Sequence, residues 1–205
     1  MINRRQAKKS KVATANPVKK GAANVKIIAG QWRGRVLRFP EVDGLRPTGN
    51  RIRETLFNWL APSLPGSRCL DAFSGSGALG FEALSRGAAS LTMLEPDRIA
   101  NQHLHNNMKL LGASDCKIWA VRAEQWLAIP ATESFDIVFI DPPFTLDLWP
   151  GVLTQLEQNG WLATNAYIYI ETPKHYALHT PAHWQLQRSK QAGQVTFSLY
   201  QRGSD

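Results

Sequence analysis

Two stretches carry residue types that do chemistry. The first is Asp141-Pro142-Pro143-Phe144, which ends the apolar run Ile137-Val138-Phe139-Ile140. A central strand cannot pass through prolines, which donate no ladder hydrogen bond. Asp141 therefore stands at a strand's carboxyl end, where open α/β sheets bind ligands. The Asp141 carboxylate and the Pro142 carbonyl can act as two acceptors aimed at an exocyclic amine or amide N–H. Such a nitrogen is a poor nucleophile because its lone pair is delocalised, and two acceptors turn that pair toward an electrophile while stabilising the positive charge that develops. The prolines hold the carbonyl rigidly, and Phe144 offers a face on which a flipped base can stack. The plain alternative is a strand ending in a stiff turn.

The second stretch is Gly75-x-Gly77-x-x-Gly80, preceded by Asp71 and followed by Glu95. This spacing serves dinucleotide enzymes, adenosine-cofactor methyltransferases and unrelated turns alike. Asp71 separates them. A pyrophosphate seeks amides and the positive end of a helix, and a carboxylate beside it would repel it. S-adenosylmethionine has an amino group for the acid, a carboxylate for the loop amides and ribose hydroxyls for Glu95. Glu124, in Arg122-Ala123-Glu124, is placed to meet an adenine amine, though a surface acid is a competing reading.

The elements that must position these residues follow from periodicity and breakers. Alternation and turn residues predict strands over 69–73, 90–94, 117–121, 135–140 and 166–170. Between them, helical spacing predicts helices over 78–86, from 97 to 111, and around 152–157. Strands alternating with helices imply an α/β, Rossmann-like, mostly parallel sheet covered on both faces. Residues 184–186 and 195–200 read as an antiparallel C-terminal pair. Ahead of this core, strands near 25–29 and 36–39 form a hairpin, and Ile52, Leu56, Trp59 and Leu60 mark a helix ending before Pro62. The expected organisation is a disordered basic tail over 1–24 and a single domain over 25–205, with the hairpin and helix (25–61) as its extension.

The chain has 205 residues, a 43% apolar composition and a formal net charge of +8. Before Glu54 the acids are Glu41 and Asp43, set against a long series of lysines and arginines. A basic first quarter on a near-neutral body suggests a polyanion-binding arm, with nucleic acid the leading partner. Arg33, Arg35, Arg46 and Arg51 are the candidate phosphate contacts. Trp32 either stacks on a base or covers the core. No stretch approaches the roughly 18 apolar residues of a membrane span. Cys69 and Cys116 are too few for a disulfide framework, so a cytoplasmic protein is expected. His175, His179 and His183 are spaced four apart, but Thr180 and Pro181 oppose a helix there and no metal is expected.

Asp71-Ala72-Phe73-Ser74-Gly75-Ser76-Gly77 resembles the first motif of class I methyltransferases. Together with Gly30-Gln31-Trp32-Arg33-Gly34-Arg35, Leu45-Arg46-Pro47-Thr48, Arg51-x-Arg53-Glu54-Thr55-Leu56-Phe57-Asn58-Trp59-Leu60 and Asp141 to Phe144, it is similar to the bacterial small-subunit ribosomal RNA guanine-N2 methyltransferases. That resemblance covers about residue 25 onward. It implies S-adenosylmethionine as cofactor, held by Asp71, Phe73, Ser74, Gly75, Gly77, Glu95, Ala123, Glu124 and Asp141. It implies catalysis by Asp141, Pro142, Pro143 and Phe144 on a guanine amine of 16S RNA. The setting would be an assembling small subunit, with the protein a monomer. Many relatives have Tyr or Trp where this chain has Phe144, so stacking is kept without a hydroxyl contact. A DNA adenine or protein glutamine N-methyltransferase, or a non-enzymatic RNA-binding assembly factor, remains the competing expectation.

Overall fold

The computed structural model describes residues 22–40 and 49–203. Chain order begins with β1 (Ala22–Lys26) and β2 (Val36–Pro40), an antiparallel pair in which Val25 faces Leu37. Val25, Leu37 and Phe39 are buried while Asn24, Lys26 and Arg38 are exposed, the period-two pattern of a sheet with one wet side. β1 starts at Ala22, earlier than the Val25 expected, because the alanines extend the pairing opposite Phe39 and Pro40. In the connection, Gly30 and Gly34 both take φ +83. A Cβ on Gly30 would lie 1.8 Å from the Ser85 carbonyl oxygen, so the turn can rest on the helix beneath only as glycine.

Helix α1 (Asn50–Leu60) buries Leu56, Phe57 and Leu60. β3 (Arg68–Asp71), α2 (Ala78–Ser85), β4 (Ser90–Leu94), α3 (Arg98–Leu111), β5 (Cys116–Trp119), α4 (Ala123–Trp126), β6 (Phe135–Ile140), α5 (Trp149–Gln158) and β7 (Leu162–Pro173) follow. β8 (Trp184–Ala192) and β9 (Val195–Arg202) complete the chain. Helix α5 begins three residues before the position expected from periodicity. Its Pro150 lies in the first turn, where a missing N–H costs nothing. β5 ends at Trp119, two residues before the predicted 121, and the short α4 stands at 123–126, where the sequence predicts no helix.

Seven strands form one sheet in the order β5-β4-β3-β6-β7-β9-β8. β3 to β7 are parallel to one another, and β9 inserts antiparallel between β7 and β8. The two faces bury separate cores. Cys69, Met93, Ile137, Phe139, Tyr169, Phe197 and Leu199 lie under the hairpin, α1, α2 and α3. Leu70, Leu94, Val138, Ile140, Ile168 and Ile170 lie under α4 and α5 with Trp149 and Trp161. Each fully buried side chain of this size contributes about 1.5–3 kcal/mol. Glu157 of α5 ties down the β8–β9 pair: it accepts from Arg202 Nη2 at 2.6 Å and Trp184 Nε1 at 2.8 Å. Burial would raise its pKa, but these donors outweigh burial and bring it to about 2. No helix among the described residues is long and apolar enough to cross a membrane.

Candidate active site

β3 lies between β4 and β6, and the chain leaves β3 in one direction to build β4 and β5 and later returns to build β6 and β7 on the other side. The crevice outside the carboxyl ends of β3 and β6 is thus a topological switch point, where such sheets bind ligands. The strand ends there present Asp71 and Asp141.

The glycine loop turns tightly between β3 and α2. Gly75 takes φ +47 and Gly77 φ +77. A Cβ on Gly77 would come within 2.7 Å of the Phe81 ring and 2.8 Å of Leu104, so the loop must pass close under α3. Gly77 N donates to Ser74 O at 2.7 Å, and Ser74 Oγ donates to Asp71 O at 2.9 Å. Phe73 is half-buried against the core under α4 and α5.

Asp71 is 2% exposed, and its Oδ2 accepts from the Gly80 N–H at 3.0 Å. That amide belongs to the first turn of α2, whose N–H groups have no partner within the helix. Burial pushes the Asp71 pKa up to about 7, opposed by the amides of Gly80 and Phe73. Glu95 does the same work from β4: Oε2 accepts from Gly75 N at 2.9 Å and Oε1 from Asp97 N at 2.8 Å. Its pKa is also raised, first by burial. Asp97 in turn caps α3 by accepting from Ile99 and Ala100 N–H groups.

This arrangement discriminates between cofactors. Two amides that would cradle a diphosphate, those of Gly75 and Gly80, are already taken by carboxylates, and the charge beside them is negative. A diphosphate would have to compete with these acids for the two amides and would be repelled by them wherever they are ionised. A cofactor with a cationic centre and ribose hydroxyls fits: each Glu95 oxygen has a second lone pair, and the acids attract positive charge. Ala123 opens α4 and is buried, with Glu124 half-buried next to it.

At the end of β6, Asp141 is half-buried, Pro142 buried and Pro143 exposed. Phe144 starts a single 3-10 turn ending at Leu146, with Leu146 N donating to Pro143 O at 3.0 Å. Phe144 is 37% exposed, and its ring stands 5.8 Å from the buried Trp149 ring at 45°. Trp149 supports it from below and is itself pinned, Nε1 donating to Glu171 O at 2.9 Å. One part of the site escaped the sequence reading. Tyr169 OH donates to Glu171 Oε1 at 2.7 Å on β7, and burial, then Glu171 and lastly Asp141, hold the phenol's pKa well above its ordinary value. The signal was present as Tyr-x-Glu at the end of a strand, where alternate residues share a face.

The candidate RNA contacts are more dispersed. Arg33 and Arg51 are exposed. Arg35 is exposed but its Nη2 donates to Leu110 O at 2.8 Å, at the carboxyl end of α3. Trp32 packs against the core, and its backbone N–H donates to Ser85 Oγ at 3.0 Å, which favours the covering role over base stacking. Arg46 and the rest of 41–48 lie outside the described residues, as does the basic leader over 1–21.

Sheet order, switch point and carboxylate-bound glycine loop define a class I S-adenosylmethionine-dependent methyltransferase. The comparisons narrow this. Residues 25–201 match the family described as Conserved hypothetical protein 95. Ribosomal RNA small subunit methyltransferase D of Escherichia coli is 50% identical over 91% of this chain and 94% of its own. The protein of that name from Haemophilus influenzae is 46% identical over 86% and 93%. A solved Escherichia coli structure, a putative methyltransferase, superposes with a TM-score of 0.81 at 49% identity, covering 89% of this chain and all of that one. The chain belongs to the ribosomal RNA small subunit methyltransferase D family.

Proposed function

We propose that this protein transfers one methyl group to the exocyclic 2-amino group of a guanine in 16S ribosomal RNA, acting as a monomer on an assembling small subunit. The observation that carries the reading is Asp141-Pro142-Pro143-Phe144 at the carboxyl end of β6, beside the glycine loop of β3. When bound, S-adenosylmethionine supplies an electrophilic methyl on a sulfonium. Asp141 and the Pro142 carbonyl accept the two amine N–H bonds and direct the lone pair at that methyl. Nitrogen becomes cationic before it loses a proton, so Asp141 serves as an ionised acceptor and needs no raised pKa. Phe144, backed by Trp149, stacks on the flipped guanine.

Glu95 holds the ribose hydroxyls and Glu124 the adenine amine. Ala123 and Phe73 give apolar walls, and Ser74, Gly75 and Gly77 shape the loop around the amino-acid end. Asp71 acts through its charge behind that loop. Arg33, Arg35, Arg46 and Arg51 neutralise phosphates. A cytoplasmic setting fits Cys69 and Cys116, both unpaired and buried, with thiols pushed up to about 12 by burial.

The role of Asp71 makes cofactor affinity pH-dependent. With its pKa at about 7, up from the ordinary 3.8, the folded protein holds a proton that the ammonium-bearing cofactor must displace. Affinity should therefore rise as pH increases through about 7, and fall again above about 8 as the ligand's own α-amino group loses its proton. Asp71→Asn should remove the low-pH limb, by calorimetric titration from pH 5.5 to 9. A flat wild-type profile would show that Asp71 stays out of ligand binding.

The activity itself is tested with methyl-labelled cofactor and undermethylated small subunits, followed by nucleoside analysis. Label is expected in N2-methylguanosine. Label in adenine or in protein glutamine would replace the guanine reading by another amino acceptor.

A further inference from the structure

The face of the sheet that carries Asp141 continues beyond it. Ile140 pairs with Ile170, so Asp141 and Glu171 leave β6 and β7 side by side. Glu171 pairs with Phe197 of β9, and Phe197 with Lys190 of β8. Directly opposite residues share a face, and three strand spacings of about 4.8 Å put the Lys190 backbone roughly 14 Å from that of Asp141.

At that end of the row a groove of about 350 Å³ opens between the start of α1 and the β8–β9 turn. Arg51, Thr55, Lys190, Gln191, Gly193 and Phe197 line it. Its charge is one-sided. From Trp184 to Gly203 the sequence contains no Asp or Glu, and Arg202, the cation at its far end, is held by Glu157. Arg188 pairs with Leu199 and Lys190 with Phe197, two residues of the same core, so both cations rise on the α1 side of the sheet. Both are exposed. Lys190 Nζ stands 6.0 Å from the centre of the Trp59 ring, which stacks on Phe197 at 5.4 Å and 23°. Across the groove, α1 has no acid in its first turn and its N-cap, Gly49, offers no side chain, leaving the positive end of the helix dipole beside Arg51.

We infer that this groove is a second RNA-docking surface, in which Lys190 and Arg188 of the C-terminal hairpin join Arg51 in neutralising phosphates of the strand that presents its base to Asp141. The inference rests on the RNA reading of the site and extends it to residues outside the basic N-terminal quarter. The groove supplies what a nucleic-acid backbone needs: cations on a strand pair that carries no acid, helix-end amides and amide side chains at the rim. The short span to Asp141 lets one RNA segment occupy both.

The test uses the full chain and a fluorescent, protein-free transcript of small-subunit RNA, with anisotropy measured from about 50 to 200 mM salt. Combined Arg188→Glu and Lys190→Glu should weaken binding by at least about tenfold and lower the salt slope by about 1.4–1.8, the loss of two phosphate contacts. The KM for RNA should rise while kcat and cofactor affinity stay within about twofold. Lys190→Met keeps the aliphatic stem over Trp59 and should lower the slope by about 0.7–0.9. Wild-type affinity and slope in these variants would overturn the inference, as would weakened binding with an unchanged slope, which signifies packing damage. If the variants match a wild-type protein that methylates RNA, the groove inference alone falls. If the wild-type protein neither binds nor methylates RNA, the functional reading falls and the groove goes with it.

Discussion

Asp141→Ala should lower the kcat for methyl transfer by about 10²–10³-fold while S-adenosylmethionine still binds. The carboxylate is an acceptor for an amine N–H that becomes acidic as nitrogen turns cationic, so it contributes more in the transition state than in the ground state, which is the condition for acting on kcat. Cofactor affinity should survive because the glycine loop is held by Asp71 and Glu95, each bonded to its amide independently of Asp141. Asp141→Asn keeps one acceptor oxygen, loses the charge, and should fall between the two. Single-turnover transfer measured beside calorimetric cofactor binding separates the effects. Retained turnover in Asp141→Ala would mean that Asp141-Pro142-Pro143-Phe144 is a structural turn.

The second large effect is on stability. Glu82 of α2 is fully buried, and three parts of the chain converge on it. Its Oε2 accepts from Ile28 N at 2.8 Å and Arg53 Nη1 at 3.4 Å, and its Oε1 from Ala29 N at 3.0 Å and Arg86 Nε at 2.7 Å. Arg53, also fully buried, reaches back to Lys26 O and Asn50 Oδ1. Burial lowers the Arg53 pKa and Glu82 counters it. Glu82→Ala leaves a buried guanidinium without its counter-charge, and two hairpin amides without acceptors. A loss of about 3–5 kcal/mol is expected, or roughly 10 °C in Tm for a chain of this size. Pairing Glu82→Leu with Arg53→Met should recover part of that loss, since apolar residues of similar volume remove the stranded charge. Urea titration of the three proteins decides it; a Glu82→Ala protein as stable as the parent would show that the hairpin docks by apolar contact alone.

This carboxylate also explains which parts of the molecule were hidden in the linear chain. Around Gly30-Gln31-Trp32 the sequence leaves two readings open, a turn whose arginines grip RNA and a hairpin whose Trp32 covers the core. In the structure, Gln31 N donates to Ser85 O at 2.7 Å and Ser85 Oγ donates to Ala29 O at 2.6 Å, so much of that motif serves to dock the hairpin on α2. The partners are more than fifty positions apart, and no local pattern announces them. Glu82 belongs to a short helix that is buried all round, and no neighbouring residue in the sequence marks its partners.

The amino-acid sequence by itself determined the order of the strands and of every helix but the short α4, the stop of β6 before Pro142 and the glycine loop after Asp71. All of these are enforced within a few residues by hydrogen-bonding capacity, side-chain period and backbone freedom. It also determined the chemistry available at each strand end, because a carboxylate, a rigid carbonyl and an aromatic ring carry their reactivity wherever they are placed. Only the tertiary structure decided that β3 and β6 are neighbours, that β9 inserts between β7 and β8, and that Tyr169 and Glu171 stand next to Asp141. Those are matters of register between strands far apart in the chain, settled by the burial of two separate faces of one sheet rather than by any local preference.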